Sequence, residues 1–455
     1  MLSSPFDVRG VIEGFYGVYY TPPERNDLIR FIARNGYNLY VYGPKNDRQH
    51  RARWREPYPS EIMEQFANTI NLCAAEGIDF CYSLGCGVSM NYASEADLDF
   101  IKQKFAAFYQ IGVKTFGLLL DDIASVFHYE EEREKFNSYA EAHVHVCNHV
   151  HEWLKSMDSE NKLIMCPTDY HGTAPFGDYM KELGGGLHPD IDVFYTGPEI
   201  VSPKIDAAET SAFAEVARRK PLIWDNYPVN DLAMQPELHI GPITGRDERL
   251  SDVCKGIIVN TMMQPEASKI ALLTFRDYFR NPQAYDPWES WDFALRKIGG
   301  NDSFQPLKRL AENALQSALE HENAVKLRQL TERALAALQN DEKISESQAV
   351  HDLHEYLDEL DEAGYHLKNR MTNYSLRKDL IDWIIPLESW AWAGRRAIRL
   401  LGALQKGEDH KPVVQALNES MVDIRQQPKQ ITGNVLQPLI DYALDQAGES
   451  KGVQS

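Results

Sequence analysis

The chain has 455 residues, 43% of them hydrophobic and 11% aromatic, so it can bury a large core and is long enough for two or three domains. Its net charge of −20 argues against binding to a phosphate backbone, and we expect no nucleic-acid partner. No apolar run reaches the roughly 18 residues of a membrane span, and the start lacks a basic segment followed by an apolar one. These observations predict no membrane association and no secretory signal.

The six cysteines form no CxxC pair and no dense framework. They lie at positions 73, 81, 86, 147, 166 and 254. Such spacing is typical of reduced thiols rather than of a disulfide scaffold. Together with the missing signal, it predicts a cytoplasmic protein.

Eight short runs of β-branched and aromatic residues predict eight strands. Between most of them lie amphipathic stretches of helical period, such as ERNDLIRFIARNGY and EIMEQFANTINLCAAEG, and a glycine ends the second. Strands that alternate with helices over about 280 residues predict an α/β fold, a (β/α)8 or TIM barrel, to which we assign residues 1–285. The predicted strands are VRGVIEGFYG from 8, NLYVYGP from 38, DFCYSLG from 79, TFGLLLDDI from 115, LIMCPTDY from 163, DVFYTGPE from 192, PLIWDNYPVND from 221 and GIIVNTM from 256.

An open, doubly wound parallel sheet is the alternative to the barrel. Such a sheet normally carries a glycine-rich phosphate turn after its first strand. The stretch EGFYG does not match GxGxxG, so the barrel is favoured.

Strand signals end after NPQAYDPWESW, at residues 281–291. From about residue 303 to 444 the chain is rich in Leu, Ala, Glu, Gln and Lys at helical period. This pattern predicts a C-terminal α-helical bundle over residues 286–448. Residues 449–455 are expected to form a disordered tail.

Polar residues follow seven of the eight predicted strands, and the run SLGCGVS at the end of the third offers no obvious polar group. For any one residue, the exposure of strand ends is a sufficient explanation. Active sites of TIM barrels, however, lie at the carboxyl ends of the strands, so the set together predicts a polar active site there. Its members are Glu13-Gly14, Lys45-Asn46-Asp47, Asp121-Asp122, Thr168-Asp169-Tyr170, Thr196, Trp224-Asp225-Asn226 with Asn230-Asp231, and Asn260.

Several of these stretches resemble the retaining N-acetyl-β-glucosaminidases that include the eukaryotic O-GlcNAcases and their bacterial relatives. The resemblance covers roughly residues 8–280, and its motifs occur in the family's order. Two departures, GPKND for APKDD and GFYGVYY for GFYGxPW, leave Lys45 and Gly14 in place, and the helical region matches only loosely. The motifs are GVIEGFYG, YVYGPKND followed by HRARWREPYP, LLLDDI, CPTDYHG, YTGPEIVS, WDNYPVND and the strand that contains Asn260.

The resemblance implies a role for each adjacent aspartate. Such enzymes use the substrate's own 2-acetamido oxygen as nucleophile and form an oxazoline. Asp121 would orient the acetamide N–H, and Asp122 would be general acid and then general base. Consecutive Cα atoms are about 3.8 Å apart, which suits two neighbouring ring substituents, whereas direct displacement needs carboxyl groups about 5–5.5 Å apart across the ring. Proximity is also expected to raise the pKa of one aspartate, which suits the acid.

The resemblance also implies a set of sugar-binding residues. Lys45 and Asp231 would hold ring hydroxyls beside Asn260, and the carbonyl of Gly14 would accept a hydrogen bond. A tryptophan would form an apolar wall for the acetamide methyl, while tyrosine and asparagine would donate to the oxazoline oxygen. A cysteine inside an apolar strand is, however, usually core. The implied acetamide pocket consists of Cys166, Tyr170, Thr196, Trp224 and Asn226.

We expect no metal and no other cofactor. His145 and His149, in HVHVCNHVH, have a metal-like spacing of four. This stretch lacks the glutamate of HExxH and falls in the predicted fourth barrel helix, away from the strand ends. Surface histidines on a helix are the better interpretation.

The resemblance implies an exo-acting, retaining glycoside hydrolase whose partners are glycoproteins or glycans that bear N-acetylglucosamine. A hexosaminidase for free oligosaccharides or cell-wall fragments, or a catalytically silent sugar-binding barrel, are the alternatives. In the helical region, residues 383–401 contain three tryptophans beside Arg395 and Arg396. This segment predicts bundle core with a basic flank. A groove for the polypeptide of a glycoprotein, or a homodimer contact, is the alternative.

Overall fold

The computed structural model describes residues 4–319 and 321–448. Eight parallel strands pair in chain order and close into one barrel, in which β1 also pairs with β8. The predicted TIM barrel and its eight strands are therefore confirmed. The strands are β1 Val8–Glu13, β2 Leu39–Tyr42, β3 Asp79–Leu84, β4 Thr115–Leu119, β5 Lys162–Cys166, β6 Asp192–Tyr195, β7 Leu222–Asp225 and β8 Gly256–Asn260.

The barrel interior explains the apolar runs. Every residue of β2, β4, β7 and β8 is buried, because the strands are covered on both faces. One cluster of buried side chains fills the interior and includes Ile12, Val41, Leu119, Ile164 and Ile258, each from a different strand. Polar side chains that follow these strands are thereby presented at one end of the barrel.

Helices separate the strands, and local signals set several of their ends. Ser94, Ser138 and Asp206 each cap a helix by accepting a hydrogen bond from a backbone amide of its first turn. Gly77 ends α2 in the left-handed conformation, with φ of 73°, as the glycine stop predicts. These helices are α1 Pro22–Arg34, α2 Ser60–Glu76, α3 Glu95–Gln110, α4 Glu130–Lys135, α5 Tyr139–Met157, α6 Asp178–Gly186, α7 Ala207–Ala217, α8 Leu250–Val253 and α9 Pro265–Arg280.

The described chain divides into two compact units. The first comprises residues 4–232 and 243–290, and the second comprises residues 233–242, 291–319 and 321–448. The domain boundary between residues 285 and 286 stays a prediction, and the tail at 449–455 lies outside the described residues. The helices from the end of the first unit onward are α10 Pro287–Gly299, α11 Phe304–Glu312, α12 Val325–Gln339, α13 Gln348–Asn369, α14 Tyr374–Lys406, α15 Lys411–Gln426 and α16 Gln437–Gln446.

The second unit has its own internal contacts. The indole of Trp383, on α14, donates to the carbonyl of Pro236 at 2.9 Å, and Lys429 donates to the carbonyl of Gln235 at 2.7 Å. These bonds hold the short segment 233–242 within the helical unit. Among the described residues, no helix has both the length and the apolar character needed to cross a membrane.

Candidate active site

The two adjacent aspartates follow β4 at the carboxyl end of the barrel. The amide of Leu120 continues the strand pairing by donating to the carbonyl of Cys166 at 3.0 Å. Asp122 then adopts the left-handed backbone conformation, with φ of 54°. This conformation is unfavourable for a residue with a Cβ, and such residues occur often at functional sites. The regular strand therefore ends where the two carboxylates begin.

Lys45 contacts both acids from the loop after β2. Its ammonium binds Asp121 Oδ2 and lies 3.8 Å from Asp122 Oδ2, and its side chain is only 4% exposed. Burial alone would lower the pKa of Lys45, but the two carboxylates raise it above its usual value. The charged ammonium of Lys45 thus contacts both carboxylates, so the two carboxylates lie on one side of the site.

The second oxygen of Asp121 has no hydrogen-bond partner among the described residues. Asp121 Oδ1 is buried, and its neighbour Oδ2 is already held by Lys45. A buried carboxylate oxygen without a donor is unfavourable. Asp121 Oδ1 is therefore an acceptor that is fixed in place and available to an N–H or O–H group of a ligand.

Two tyrosines hold the carboxylate of Asp122. Tyr16 donates to Oδ2 and Tyr170 donates to Oδ1, both at 2.9 Å, and the Asp122 side chain is 32% exposed. Burial alone would raise the pKa of Asp122, but Lys45 and the two tyrosine hydroxyls outweigh it and hold the pKa below the usual value. The expectation of a raised pKa for the acid is therefore wrong for the ligand-free site, because one buried cation and two donors stabilise the carboxylate.

A hydrogen-bonded wall joins β1, β7 and β8. Trp224 Nε1 and Asn260 Nδ2 both donate to Asn226 Oδ1, at 2.8 and 2.9 Å. Asn260 Oδ1 accepts from the amide of Gly14 at 3.2 Å, and a Cβ on Gly14 would lie 2.6 Å from the Trp224 ring. Glycine is thus needed for this close approach. Lys45 Nζ lies 5.7 Å from the centroid of the Trp224 ring, which connects the wall to the aspartates.

Asp231 reaches the same site from the loop after β7. Its Oδ2 accepts from the amide of Tyr16 at 2.7 Å, and the residue is 8% exposed. Burial raises the pKa of Asp231, and the hydrogen bond from the Tyr16 amide offsets part of that effect. Because the hydroxyl of Tyr16 donates to Asp122, this tyrosine links Asp231 to the acid pair.

Two residues of the predicted acetamide pocket have other primary contacts. Cys166 is 1% exposed in the barrel core, in one cluster with Tyr170 and Trp224, and burial raises the pKa of its thiol. The hydroxyl of Thr196 donates to the carbonyl of Glu199 at 2.8 Å, while its amide donates to the carbonyl of Tyr170 at 2.9 Å. Cys166 thus packs behind the pocket, and Thr196 supports Tyr170 through the backbone.

Three strand-end carboxylates have structural partners. Each is buried and accepts hydrogen bonds from cationic or phenolic side chains, so burial and hydrogen bonding account for it without a ligand. Their position after a strand is therefore not evidence of a role in the site. The pairs are Glu13 with Arg25 at 2.8 Å, Asp225 with Arg246 at 2.8 Å, and Asp47 with the hydroxyls of Tyr42 at 2.7 Å and Tyr58 at 2.6 Å.

Tyr16 and Arg51 also belong to the site, although neither is among the residues predicted from the sequence. Both lie inside stretches that carry the resemblance, GVIEGFYG and HRARWREPYP, but Tyr16 falls within the predicted first strand and Arg51 lies well beyond the end of β2. The sequence feature that could have indicated Arg51 is the lack of an obvious polar residue after β3, because that gap leaves room for a side chain from another loop. Gly85 lies there, and a Cβ on it would be 3.4 Å from Arg51 Cγ, so the glycine leaves room for an arginine from the loop after β2.

The histidines form no part of this site. His145 and His149 have ring centroids 6.2 Å apart on α5. In the part of the chain that the structure describes, the group able to hold a metal is instead His151, His188 and Asp190. Its two imidazoles stack with centroids 4.3 Å apart, and His188 Nδ1 accepts from the amide of Asp190 at 3.2 Å. His151 Nδ1 has no hydrogen-bond partner among the described residues, and His188 and Asp190 come before the amino end of β6, away from the strand ends that carry the aspartates.

A barrel with two carboxylates on one side of its strand ends is the kind of site that glycoside hydrolases use. A family model described as beta-N-acetylglucosaminidase matches residues 9–312. The chain belongs to this family of glycoside hydrolases.

Individual relatives agree with this assignment. Proteins named Protein O-GlcNAcase from Rattus norvegicus and Mus musculus are each 32% identical over 277 residues, which is 60% of this chain and 30% of the relative. The chain thus spans less than a third of the length of these relatives. A Thermobaculum terrenum O-GlcNAc hydrolase mutant superimposes with a TM-score of 0.89 at 30% identity, covering 97% of this chain and 96% of that one. The structure titled CpGH84B gives a TM-score of 0.84 at 26% identity, with coverage of 97% and 77%.

Proposed function

We propose that the chain is a retaining exo-N-acetyl-β-D-glucosaminidase that removes terminal β-linked N-acetylglucosamine. The observation that carries this proposal is Oδ1 of Asp121, which has no hydrogen-bond partner within residues 4–319 and 321–448 and adjoins an oxygen that Lys45 already holds. The N–H of a 2-acetamido group is a donor of the kind that this oxygen lacks. A sugar with a plain 2-hydroxyl would leave no acetamide to orient.

In the first step, the acetamide oxygen of the substrate attacks C1 of its own sugar. The bond from C1 to the leaving oxygen breaks, and a bicyclic oxazoline forms. Asp121 accepts the acetamide N–H, which makes the attacking carbonyl oxygen more electron-rich. Asp122 gives its proton to the leaving oxygen, as general acid.

In the second step, Asp122 is a carboxylate and accepts a proton from a water molecule. That water attacks C1, the oxazoline ring opens, and the configuration at C1 is retained after two inversions. The contacts of Lys45 support this pathway, since one ammonium lies close to both acids. A direct displacement would need carboxyl groups about 5–5.5 Å apart that face each other across the sugar.

We assign the remaining predicted residues to substrate binding. Trp224 supplies an apolar wall for the acetyl methyl group. Asn226 is a donor for the oxazoline oxygen, and Tyr170 is a second donor once the substrate displaces its hydroxyl from Asp122. Asn226 uses one N–H on the carbonyl of Ile200, at 2.7 Å, and so keeps a second N–H for a ligand. Ring hydroxyls and the acetamide are held by Gly14, Lys45, Tyr170, Trp224, Asn226, Asp231 and Asn260, while Cys166 packs behind the acetamide pocket and Thr196 supports Tyr170 through the backbone.

We infer that the natural substrates are proteins that carry N-acetylglucosamine on Ser or Thr. This inference is supported by the names of the relatives, Protein O-GlcNAcase and O-GlcNAc hydrolase. Two alternatives remain. A hexosaminidase for free oligosaccharides or cell-wall fragments would use the same chemistry, and a catalytically silent barrel would bind the sugar without hydrolysing it. The three functions differ in what they hydrolyse.

The test is turnover of an aryl N-acetyl-β-glucosaminide, an O-GlcNAc-modified protein and a chitin-type oligosaccharide, side by side. The proposal predicts hydrolysis of the aryl glycoside and the protein. Hydrolysis of the aryl glycoside and oligosaccharide alone would favour the hexosaminidase. Binding of N-acetylglucosamine without any hydrolysis would favour the silent barrel and overturn the enzyme proposal.

We further propose that the reaction needs no metal or other cofactor and that the protein works in the cytoplasm, away from membranes and nucleic acids. The two aspartates supply the acid, the base and the orienting acceptor, so no chemical step is left for a metal. The six cysteines, all among the described residues, are free and buried. Full activity after dialysis against a chelator is the expected result.

A homodimer through the helical unit is a further proposal. Large aromatic side chains are exposed on that unit, and such surfaces often form protein contacts. Sedimentation equilibrium should give twice the chain mass of 51.9 kDa, and a monomer at all concentrations would contradict the proposal. The exposed fractions are 41% for Trp392, 53% for Tyr365 and 66% for Tyr374.

A further inference from the structure

Arg51 holds Asp122 from two directions. Its Nη1 donates to the hydroxyl of Tyr16 at 2.8 Å, and that hydroxyl donates to Asp122 Oδ2 at 2.9 Å. Its Nη2 donates to the backbone carbonyl of Asp122 at 3.3 Å. The guanidinium also lies 5.2 Å from the centroid of the Tyr16 ring. One guanidinium thus reaches both the main chain of Asp122 and, through one hydroxyl, its carboxylate.

We propose that Arg51 is a positioning residue for Asp122, which it orients through the Tyr16 hydroxyl and the Asp122 carbonyl. The proposal rests on the proposed function, in which Asp122 is the acid and base. The loop after β2 then contacts both aspartates: Arg51 orients Asp122, and Lys45 from the same loop binds Asp121. Each catalytic aspartate is then oriented by a different cation of one loop.

The geometry shows why Asp122 needs such support. Its backbone is left-handed, with φ of 54°, and its side chain is 32% exposed, so neither regular structure nor packing fixes the carboxylate. A planar guanidinium has donors in a rigid fork, so it can hold two acceptors in a fixed relation, whereas an ammonium is a point charge. A general acid displaced by about 1 Å can lose about 10²-fold in rate.

The charge of Arg51 acts in the same direction as the other groups that face Asp122. Lys45 and Arg51 favour the carboxylate form, as do the hydroxyls of Tyr16 and Tyr170. Two carboxylates also face Asp122, and these disfavour its ionised form. They are Asp121, its chain neighbour, and Asp231, which Tyr16 joins to it. Removal of the arginine should therefore raise the pKa of Asp122.

The experiment compares Arg51→Gln with Arg53→Gln, a change in an exposed arginine of the same loop that pairs with Glu56. For Arg51→Gln, kcat/KM on a Ser-linked N-acetylglucosaminide should fall about 10–100-fold, and on a dinitrophenyl glycoside less than about threefold. The difference arises because only the poor leaving group needs a well-placed proton. The alkaline limb of the pH profile of kcat/KM should move to higher pH. Arg53→Gln should match the wild type in both measurements.

A double-mutant cycle tests whether Arg51 acts through Tyr16. In a Tyr16→Phe background, Arg51→Gln should lose most of its effect on the Ser-linked substrate, because the shared hydroxyl is already gone. Arg51→Lys should be intermediate, since a lysine can reach one acceptor but not both. Circular dichroism of each variant checks that the fold is retained.

Different results would overturn the proposed function and the positioning role of Arg51. A wild-type enzyme that hydrolyses neither substrate overturns the proposed function and, with it, the role of Arg51. An active wild type with an Arg51→Gln variant that slows both substrates equally overturns only the positioning role. Full additivity of Arg51→Gln and Tyr16→Phe, or an alkaline limb that does not move, would also overturn it.

Discussion

Asp121 and Asp122 are neighbours in the chain but have different surroundings. Asp121 is 7% exposed, with one oxygen bound to Lys45 and one oxygen that has no hydrogen-bond partner in the part of the chain that the structure describes. Asp122 is 32% exposed at its side chain, and two tyrosine hydroxyls cover its oxygens. A buried acceptor suits a role within the substrate's acetamide pocket, while an accessible carboxyl suits proton exchange with a leaving group and then with water.

This division predicts different effects of leaving-group chemistry on the two Asp→Asn variants. Asp122→Asn should lose about 10²–10⁴ in kcat on an alkyl or protein glycoside. The loss should shrink on a dinitrophenyl glycoside, whose phenolate leaves without a proton. Asp121→Asn should slow good and poor leaving groups by similar factors, because every substrate needs the acetamide to attack. Steady-state kinetics on a series of leaving groups measures both patterns.

Both changes are nearly isosteric, and circular dichroism controls for a folding defect. If the activity of Asp121→Asn, and not that of Asp122→Asn, recovered on the dinitrophenyl glycoside, the two aspartates would have to be assigned the opposite roles. Losses below tenfold in both variants would show that the pair is not catalytic.

The pH dependence should report the tyrosine contacts of Asp122. In the free enzyme, Lys45, Tyr16 and Tyr170 hold the pKa of Asp122 below its usual value despite burial. In the proposed mechanism, a bound substrate places its leaving oxygen at Asp122, displaces a tyrosine hydroxyl and excludes water, and each of these changes raises that pKa. The alkaline limb of kcat, which reports the complex, should therefore lie at higher pH than the limb of kcat/KM, which reports the free enzyme. Profiles whose limbs coincide would contradict this.

At the residue scale, the sequence was informative where chemistry and strand ends coincide. Asp121, Lys45 and Asn260 could be found because each follows or ends a buried strand. Tyr16 and Arg51 were not predicted, because the run VRGVIEGFYG predicts a strand that includes Tyr16, and Arg51 lies well beyond the end of β2 in a loop without a periodic signal. The lowered pKa of Asp122 also depends on the contacts of these loop residues, so it could not be predicted from the sequence.

At the scale of elements, burial decided what could be predicted. The eight strands were predictable because strands that are buried on both faces show as continuous apolar runs. The assignment of segment 233–242 to the helical unit could not be predicted from the sequence. It lies between β7 and β8, where the alternation of strands and helices assigns everything to the barrel. Its bonds to Trp383 and Lys429 join residues nearly 150 or more positions apart, and no local pattern encodes such pairs.

Segment 383–401 on α14 tests the two interpretations of the bundle. Arg395 binds Asp358 at 2.7 Å and Asp361 at 2.5 Å, and Arg396 binds Ser420, so both arginines already have partners within the unit. Arg395→Gln and Arg396→Gln should lower the free energy of unfolding by about 1 kcal/mol or less each, because the pairs are partly exposed. KM for a glycoprotein and for an aryl glycoside should stay unchanged.

Thermal unfolding and steady-state kinetics measure these effects. Arg399→Gln, on the next turn of the same helix and exposed, is the matched control. A rise in KM for the glycoprotein alone would show instead that the segment binds the polypeptide of the substrate, since remote binding energy appears only with substrates that reach the remote site.

At the scale of the whole molecule, the net charge of −20 is expected to affect encounters with charged substrates. An acidic glycoprotein is repelled at low ionic strength, and salt screens that repulsion over a Debye length of about 8–10 Å. We therefore expect kcat/KM for an acidic glycoprotein to rise between low and physiological salt. An uncharged aryl glycoside is the control and should show no change. A fall in kcat/KM with salt would show that a local basic surface, rather than the net charge, receives the glycoprotein.

We claim that the substrate's own acetamide is the nucleophile, and fluorination of the acetyl group provides a test. Each fluorine draws electrons from the carbonyl oxygen and weakens its attack on C1. With aryl glycosides that carry acetyl, fluoroacetyl, difluoroacetyl and trifluoroacetyl groups, we predict that kcat falls steeply at each step. A rate that does not respond to fluorination would contradict the claim and identify an enzymic carboxylate as the nucleophile.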